Sequence, residues 1–284
     1  MGSKSEIAWT NSSWNPVTGC DKVSAGCKHC YAENYAKRRL GEFGKDDRKF
    51  TDVKCHTDKL EIPYRWQKPR KIFVNSMSDL FHEDVPFEFI FRVYATMARC
   101  PKHTFQVLTK RPERALEFYA YLADWMTKHV ASSSFEAWYK SGMKNLWFGV
   151  TAEDQEMADK RILILMQMPV ALRWVSIEPM LSRIDLQSKT LGDTLCRCGG
   201  CLKMAKDFPR SGGLQRIDWV VVGCESGTSR RDCPVSWIND IREACQMNKT
   251  PLFVKQLSGE DKVIRNIEDF PEHLKIREYP KDVV

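Results

Sequence analysis

Short runs of β-branched and aromatic residues alternate along the chain with longer segments whose apolar positions recur every three or four residues. This pattern predicts parallel strands joined by helical crossovers. Strands are expected at residues 6–10, 71–75, 104–109, 146–151, 172–177, 218–223 and 252–256. Helical spacing covers 31–40, 87–99, 113–129, 154–168 and 236–247, and Pro86 and Pro112 fall where a first helical turn tolerates a residue without an N–H. Trp219-Val220-Val221-Val222 is apolar throughout, as in a strand covered on both faces. The expected fold class is α/β, a partial (β/α)6–7 barrel, with one domain over residues 1–284 and a Cys/Gly-rich insertion at about 187–216 that lacks periodicity.

In a parallel sheet, ligands collect beyond the carboxyl ends of the strands. Polar residues gather at those ends: Asn75-Ser76-Met77-Ser78-Asp79, Thr109-Lys110-Arg111, Thr151-Ala152-Glu153-Asp154, Ser176-Ile177-Glu178-Pro179 and Gly223-Cys224-Glu225-Ser226-Gly227. Several of these residues carry an ordinary structural reading beside the functional one. Thr151 and Ser176 equally suit the cap of a following helix. Arg161, inside an expected helix, either lines the site or pairs with Glu156 or Asp159 on the surface. Cys224 is either a hydrogen donor facing the site or a small buried residue. Glu225-Ser226-Gly227 has the form of a phosphate-cradling turn but lacks the GxGxxG or Lys-Thr context.

Eleven cysteines change the picture. Their odd number, in a long chain without an apolar leader at its start, argues against a disulfide framework and for metal ligation. No stretch approaches the ~20 apolar residues needed to cross a bilayer, so the expected location is cytoplasmic, with no membrane partner. The formal net charge of +7 and pI near 8.8 permit a nucleic-acid partner. The basic clusters at Lys37-Arg38-Arg39, at 68–71 and at Arg230-Arg231 serve equally as solvated faces. Trp9, Trp14, Trp66, Trp147, Trp174 and Trp219 lie beside or within expected strands, where core packing accounts for them without base stacking.

The informative spacing is Gly19-Cys20-Asp21-Lys22-Val23-Ser24-Ala25-Gly26-Cys27-Lys28-His29-Cys30-Tyr31, which sets three thiols in one loop before an expected helix. A closed zinc site takes four protein ligands, whereas three thiolates on a four-iron cluster leave one iron open to a substrate or cofactor. The competing reading is zinc, with His29 or a distant cysteine completing the set. A second group, Cys196, Cys198 and Cys201, has spacing suited to zinc or an auxiliary cluster, with Cys55, His56, Cys224 and Cys233 as alternative fourth ligands. An exposed loop is the plain alternative there. Cys100 and Cys245 lie at helix ends and are expected to pack.

A thiol loop after the first strand of a β/α unit resembles the cluster loop of the radical S-adenosylmethionine (SAM) superfamily. His29 stands where that superfamily commonly has an aromatic residue, and the first gap is six residues rather than three. The blocks Trp14-Asn15-Pro16-Val17-Thr18-Gly19-Cys20, Ser176-Ile177-Glu178-Pro179-Met180-Leu181 and Asp218-Trp219-Val220-Val221-Val222-Gly223 resemble the phage Gp37/Gp68, or three-Cys-motif, family. More distantly, Ser78-Asp79 and Thr109-Lys110 are similar to pairs in spore photoproduct lyase.

The resemblance implies a [4Fe-4S] cluster on Cys20, Cys27 and Cys30, SAM chelating its open iron, and reductive cleavage of SAM to a radical that abstracts hydrogen from the substrate. It also implies a low-potential electron donor such as flavodoxin or ferredoxin. Ser76, Ser78 and Asp79 would receive the SAM ammonium and ribose and Lys110 its carboxylate, with Thr151, Glu153, Arg161 and Glu178 as further cofactor candidates. The same likeness sets Ser76 where the lyase family has its hydrogen-donating cysteine, which favours modification of a nucleic-acid base over thymine-dimer reversal. Two other functions stand beside this one: a zinc-stapled nucleic-acid-binding protein without radical chemistry, and a catalytically inactive barrel serving a partner protein.

Overall fold

The computed structural model describes residues 5–45, 48–131, 133, 142–186, 216–227 and 229–281. The chain opens with β1 (Ser12–Trp14) and β2 (Val17–Thr18), then the cysteine loop and the short helix α1 (Tyr31–Lys37). A two-residue strand, β3 (Lys54–Cys55), pairs antiparallel with β2. The alternating part follows: β4 (Lys71–Val74), α2 (Phe87–Ala98), β5 (Thr104–Thr109), α3 (Pro112–His129), β6 (Leu146–Thr151), α4 (Gln155–Leu165), β7 (Leu172–Ile177), β8 (Trp219–Gly223), α5 (Val235–Met247), β9 (Leu252–Ser258) and β10 (Val263–Ile264).

Among the described residues eight strands form one sheet in the order β1-β4-β5-β6-β7-β8-β9-β10. Every ladder from β1 to β9 is parallel, and β10 alone runs antiparallel, as a hairpin on β9. The protein is therefore a mixed α/β fold on a mostly parallel sheet. The strands expected from the β-branched and aromatic runs at 104–109, 146–151 and 172–177 form with those limits. All six residues of β6 and of β7 are buried, because both faces of the sheet are covered.

The two faces are covered by different material. Outside, the helices lay apolar stripes on the sheet, among them Ile90, Val93 and Met97 of α2, Phe118 and Leu122 of α3, Ile162 and Leu165 of α4, and Ile238 and Ile241 of α5. Inside, Phe73, Trp147, Trp174, Trp219 and Phe253 pack with Trp9 into a separate aromatic cluster. In a flat sheet β4 and β8, four strands apart, would be separated by about 19 Å. Yet the Trp9 ring lies 4.8 Å from Phe73 of β4 and 6.2 Å from Trp219 of β8. The sheet must curve around Trp9. Gly149 makes room for this filling, since a Cβ there would fall 2.5 Å from the Trp174 indole.

One expected element is absent. Residues 6–10 turn rather than extend, with the Thr10 N–H donating to the Ile7 carbonyl, and the first strand begins at Ser12. The aromatic and β-branched character that suggested a strand there belongs to a plug: Trp9 is 2% exposed at the centre of the inner cluster. The tryptophans named above are all buried, in keeping with packing. Cys196, Cys198 and Cys201, with nearly all of the expected insertion, lie outside the described residues. Among the described residues no helix is long and apolar enough to cross a membrane.

Candidate functional site

A cavity of about 240 Å³ opens at the carboxyl ends of the parallel strands. Its wall takes Asn75 after β4, Thr109 of β5, Thr151 of β6, Ser176 of β7, Cys224 after β8 and Gln256 of β9, with Trp9 also lining it. The cysteine loop lies against this ring, and Cys20, Cys27 and Cys30 all line the cavity. All three thiols are free and partly exposed. Parallel pairing turns every strand end the same way, and curvature brings those ends round one space. Ser76, Ser78, Asp79, Lys110, Thr151, Glu178 and Cys224, scattered over about 150 residues of sequence, therefore share a cavity with the thiols.

The loop is tied down at both ends and in its middle. At its start the Gly19 N–H donates to the Met77 carbonyl (3.1 Å), beside β4, and the Cys20 N–H to the Phe50 carbonyl (2.9 Å). At its end Cys30 occupies the N-cap position of α1. In the middle, two buried carboxylates hold it. Glu153, 0% exposed, pairs with Arg161 Nη1 at 2.8 Å and accepts the Gly26 N–H at 3.4 Å. Glu225, 3% exposed, accepts from the Arg231 Nε (2.9 Å) and contacts His29 Nδ1 (3.1 Å), while Arg231 Nη1 donates to the Ala25 carbonyl (3.0 Å). For both carboxyls burial pushes the pKa up, but the cations and hydrogen bonds outweigh it and the net displacement is downward. The approach at Gly26 is close: a Cβ there would meet the Glu153 side chain at 3.0–3.2 Å, so the side chain or the loop would have to give.

Glu153 and Arg161 are thus not among the residues lining the cavity. Arg161 is 3% exposed and pairs with Glu153, not with Glu156 or Asp159, and its Nη1 also donates to the Thr151 carbonyl (2.8 Å). The pair stands behind the cysteine loop as its support. The Glu225-Ser226-Gly227 turn likewise presents a carboxylate to Arg231 and His29, which is unsuited to cradling a phosphate.

Around Cys20 the charges converge on Arg111, 5% exposed, at the end of β5. Its Nη1 lies 3.5 Å from the Cys20 sulfur and 3.6 Å from Asp79 Oδ2, its Nε 3.2 Å from Glu83 Oε2, and its Nη2 donates to Asp21. Burial and Asp79 push the Cys20 thiol up to about 11, with Arg111 pulling the other way. Asp79 accepts from the Thr109 hydroxyl (2.8 Å), the Lys110 N–H (2.9 Å) and the Phe81 N–H (3.0 Å), so it both lines the cavity and pins the ends of β4 and β5 together.

The remaining cavity groups differ in how far they are satisfied. Ser76 Oγ donates to Asn15 Oδ1 (3.1 Å) and Ser78 Oγ to the Val17 carbonyl (2.9 Å). Glu178 pairs with Lys255 at 2.9 Å. The Lys110 ammonium has the Thr151 hydroxyl at 3.5 Å and, among the described residues, no carboxylate within 4 Å. Cys224 is 2% exposed, and burial raises its thiol. Gln256 Nε2 fixes this corner by donating to the Cys224 carbonyl (2.7 Å).

Of the other cysteines, Cys100, Cys233 and Cys245 are buried, and burial pushes the Cys233 and Cys245 thiols up to about 12. His56 is occupied by the Thr18 hydroxyl at 2.7 Å. Among the described residues, Asp21, His82 and Glu83 form the one His/Cys/carboxylate set whose ligand atoms all lie within 4.8 Å of one another, and Arg111 contacts both of its carboxylates. Arg111, Arg231, Lys255 and Gln256 had no motif to announce them. The sequence offered only the strand-end position of Arg111, Lys255 and Gln256, and for Arg231 its place in the basic pair Arg230-Arg231.

No curated protein and no solved structure matches this chain. A family model described as "Protein of unknown function (DUF5131)" matches residues 4–274, and the chain belongs to that family.

Proposed function

We propose that this protein is a radical SAM enzyme on a partial (β/α) barrel, with a [4Fe-4S] cluster on Cys20, Cys27 and Cys30, SAM in the strand-end cavity and a nucleic-acid base as substrate. The observation that carries the reading is the meeting of three free thiols from one loop with the polar ends of β4 to β9 around a single cavity. The curvature of the sheet around Trp9 supports the partial barrel. Three thiols also fit the group: they ligate three irons and leave the fourth for a cofactor. A tetrahedral zinc ion would draw its thiolates to about 3.8 Å from one another. Among the described residues these thiols form no set within 4.8 Å. The zinc-stapled alternative would therefore require the loop to close further around the ion.

When bound, the cluster and SAM supply one-electron cleavage of a sulfonium carbon–sulfur bond and hydrogen abstraction from the substrate. The protein's own residues bind, orient and exclude water. Lys110, without a carboxylate partner among the described residues, suits the SAM carboxylate. The Ser76 and Ser78 hydroxyls line the adjoining wall for its polar groups. The Glu178–Lys255 pair on the opposite strands offers one acceptor and one donor, while Glu153 and Glu225 hold the loop so that the thiols keep their places. The net charge of +7 supports an anionic partner.

The test is anaerobic reconstitution with iron and sulfide, then reduction with dithionite in the presence of SAM and chromatographic assay for 5′-deoxyadenosine. A variant with Cys20→Ala, Cys27→Ala and Cys30→Ala serves as control. Cysteine-dependent 5′-deoxyadenosine supports the proposal. Stoichiometric zinc, with neither cluster nor SAM cleavage, overturns it.

A further inference from the structure

Arg111 is unusual among the groups near the thiols. It is a buried guanidinium, rigidly placed at the end of β5 by its own N–H, which donates to Thr109 Oγ1 at 2.8 Å. Its Nη1 is directed at the sulfur of Cys20 at 3.5 Å. Among the described residues no guanidinium or ammonium makes a similar contact with Cys27 or Cys30; the hydrogen-bonding neighbour of Cys27 is the Ser24 hydroxyl at 3.8 Å. One thiol of the three therefore sits against a fixed positive charge. Asp79, Asp21 and Glu83 face the same guanidinium, so its field at the sulfur is set by a local balance of charges.

We propose that Arg111 is a positioning residue that sets the reduction potential of the group held by Cys20. This rests on the cluster reading above. Taking up one electron from a low-potential donor makes a thiolate-ligated cluster more negative. An N–H and a full positive charge on a ligand sulfur stabilise that reduced form more than the oxidised one and raise the potential. Glu83, on the far side of the guanidinium and largely exposed, offsets part of the same charge. Removing it acts in the opposite sense. The network thus makes a signed prediction at two positions, which a merely structural role for Arg111 does not.

The experiment is a dye-mediated dithionite titration of the reconstituted full-length protein without SAM, followed by the paramagnetic resonance signal of the reduced cluster. Arg111→Gln should lower the reduction equilibrium about tenfold, which for one electron is about 59 mV. Arg111→Lys keeps the charge and should recover part of that loss. Glu83→Gln, a surface change that leaves the fold in place should Arg111→Gln fail to fold, should move the potential upward. Intact clusters with the wild-type potential in Arg111→Gln, or in Glu83→Gln where Arg111→Gln does not fold, overturn this inference alone. Failure of the wild-type protein to take up iron and sulfide overturns it together with the proposed function.

Discussion

The two ends of the parallel strands are built from opposite materials. Inside the sheet, Trp9, Trp147, Trp174 and Trp219 pack at ring separations of 5.2–6.2 Å, edge to face except for the tilted Trp174–Trp219 pair. At the carboxyl ends the same strands terminate in Asp79, Lys110, Arg111, Glu153, Glu178 and Glu225, several of them buried and held by partners. Aromatic burial is non-directional and stabilises directly. Buried ion pairs stabilise weakly because desolvation consumes most of their attraction. The difference teaches that the floor holds the fold and the mouth holds a loop. The two should separate experimentally.

The largest expected effect breaks the floor. Trp174→Ala empties a site with 0% exposure and should destabilise the protein by about 3–5 kcal/mol, read as a lower denaturant midpoint. Whatever remains folded should bind as much iron as wild type. A variant that loses iron at unchanged stability would show that floor and mouth are not separable.

Gly26→Ala attacks the mouth instead. The added methyl must displace Glu153 or the loop. On the proposed cluster site, iron affinity should fall by about tenfold, the usual scale for disturbing the outer shell of a metal site. The unfolding free energy from denaturant titration should stay within about 1 kcal/mol of wild type. Anaerobic reconstitution with iron and sulfide determinations on the same sample as the melt checks both halves.

Acid should undo the mouth before the floor. Glu153 and Glu225 have folded-state pKa values below the ordinary value of 4.5. Their contribution is therefore complete above that value, declines as the unfolded chain begins to take up protons below it, and is lost as pH falls through the folded pKa values. Stability measured by denaturant titration should drop as the medium is acidified below about pH 4.5. Glu225→Gln should flatten part of that slope; an unchanged slope would remove Glu225 from the account.

The smallest effect belongs to neither region. Lys160 and Glu113 join α4 to α3 at 2.9 Å, both well exposed. Lys160→Ala should cost no more than about 0.5 kcal/mol and leave iron binding alone. A larger loss would mean that helix contacts on the outer face are coupled to the site.

Much of the alternating fold was legible because its signals are local. A run rich in aromatic, β-branched and apolar residues such as 146–151 has few alternatives to a doubly covered strand, whereas the cap of α4 is Asp154, whose side chain accepts the Met157 N–H, and not Thr151, the residue the sequence put forward. Residues 6–10 misled for the same reason: a plug and a strand present the same residue types, and which one forms depends on a cavity made by strands far along the chain. The thiol loop and the strand-end polar residues were also legible, as positions. The partners of Glu153 and Glu225 were not, since Gly26 is 127 residues from Glu153 and His29 is 196 from Glu225.

The sequence alone determined the parallel α/β pattern, the loop of three closely spaced thiols and the end of the sheet at which polar groups collect. All of these follow from periodicity and spacing within one segment. Only the tertiary structure decided that Trp9 fills the sheet, that Glu153 and Arg161 support the cysteine loop rather than line the cavity, and that Arg111 is the cation against Cys20. Those assignments depend on how far the sheet curves, because curvature sets which strand ends meet across the cavity, and no single segment encodes that distance.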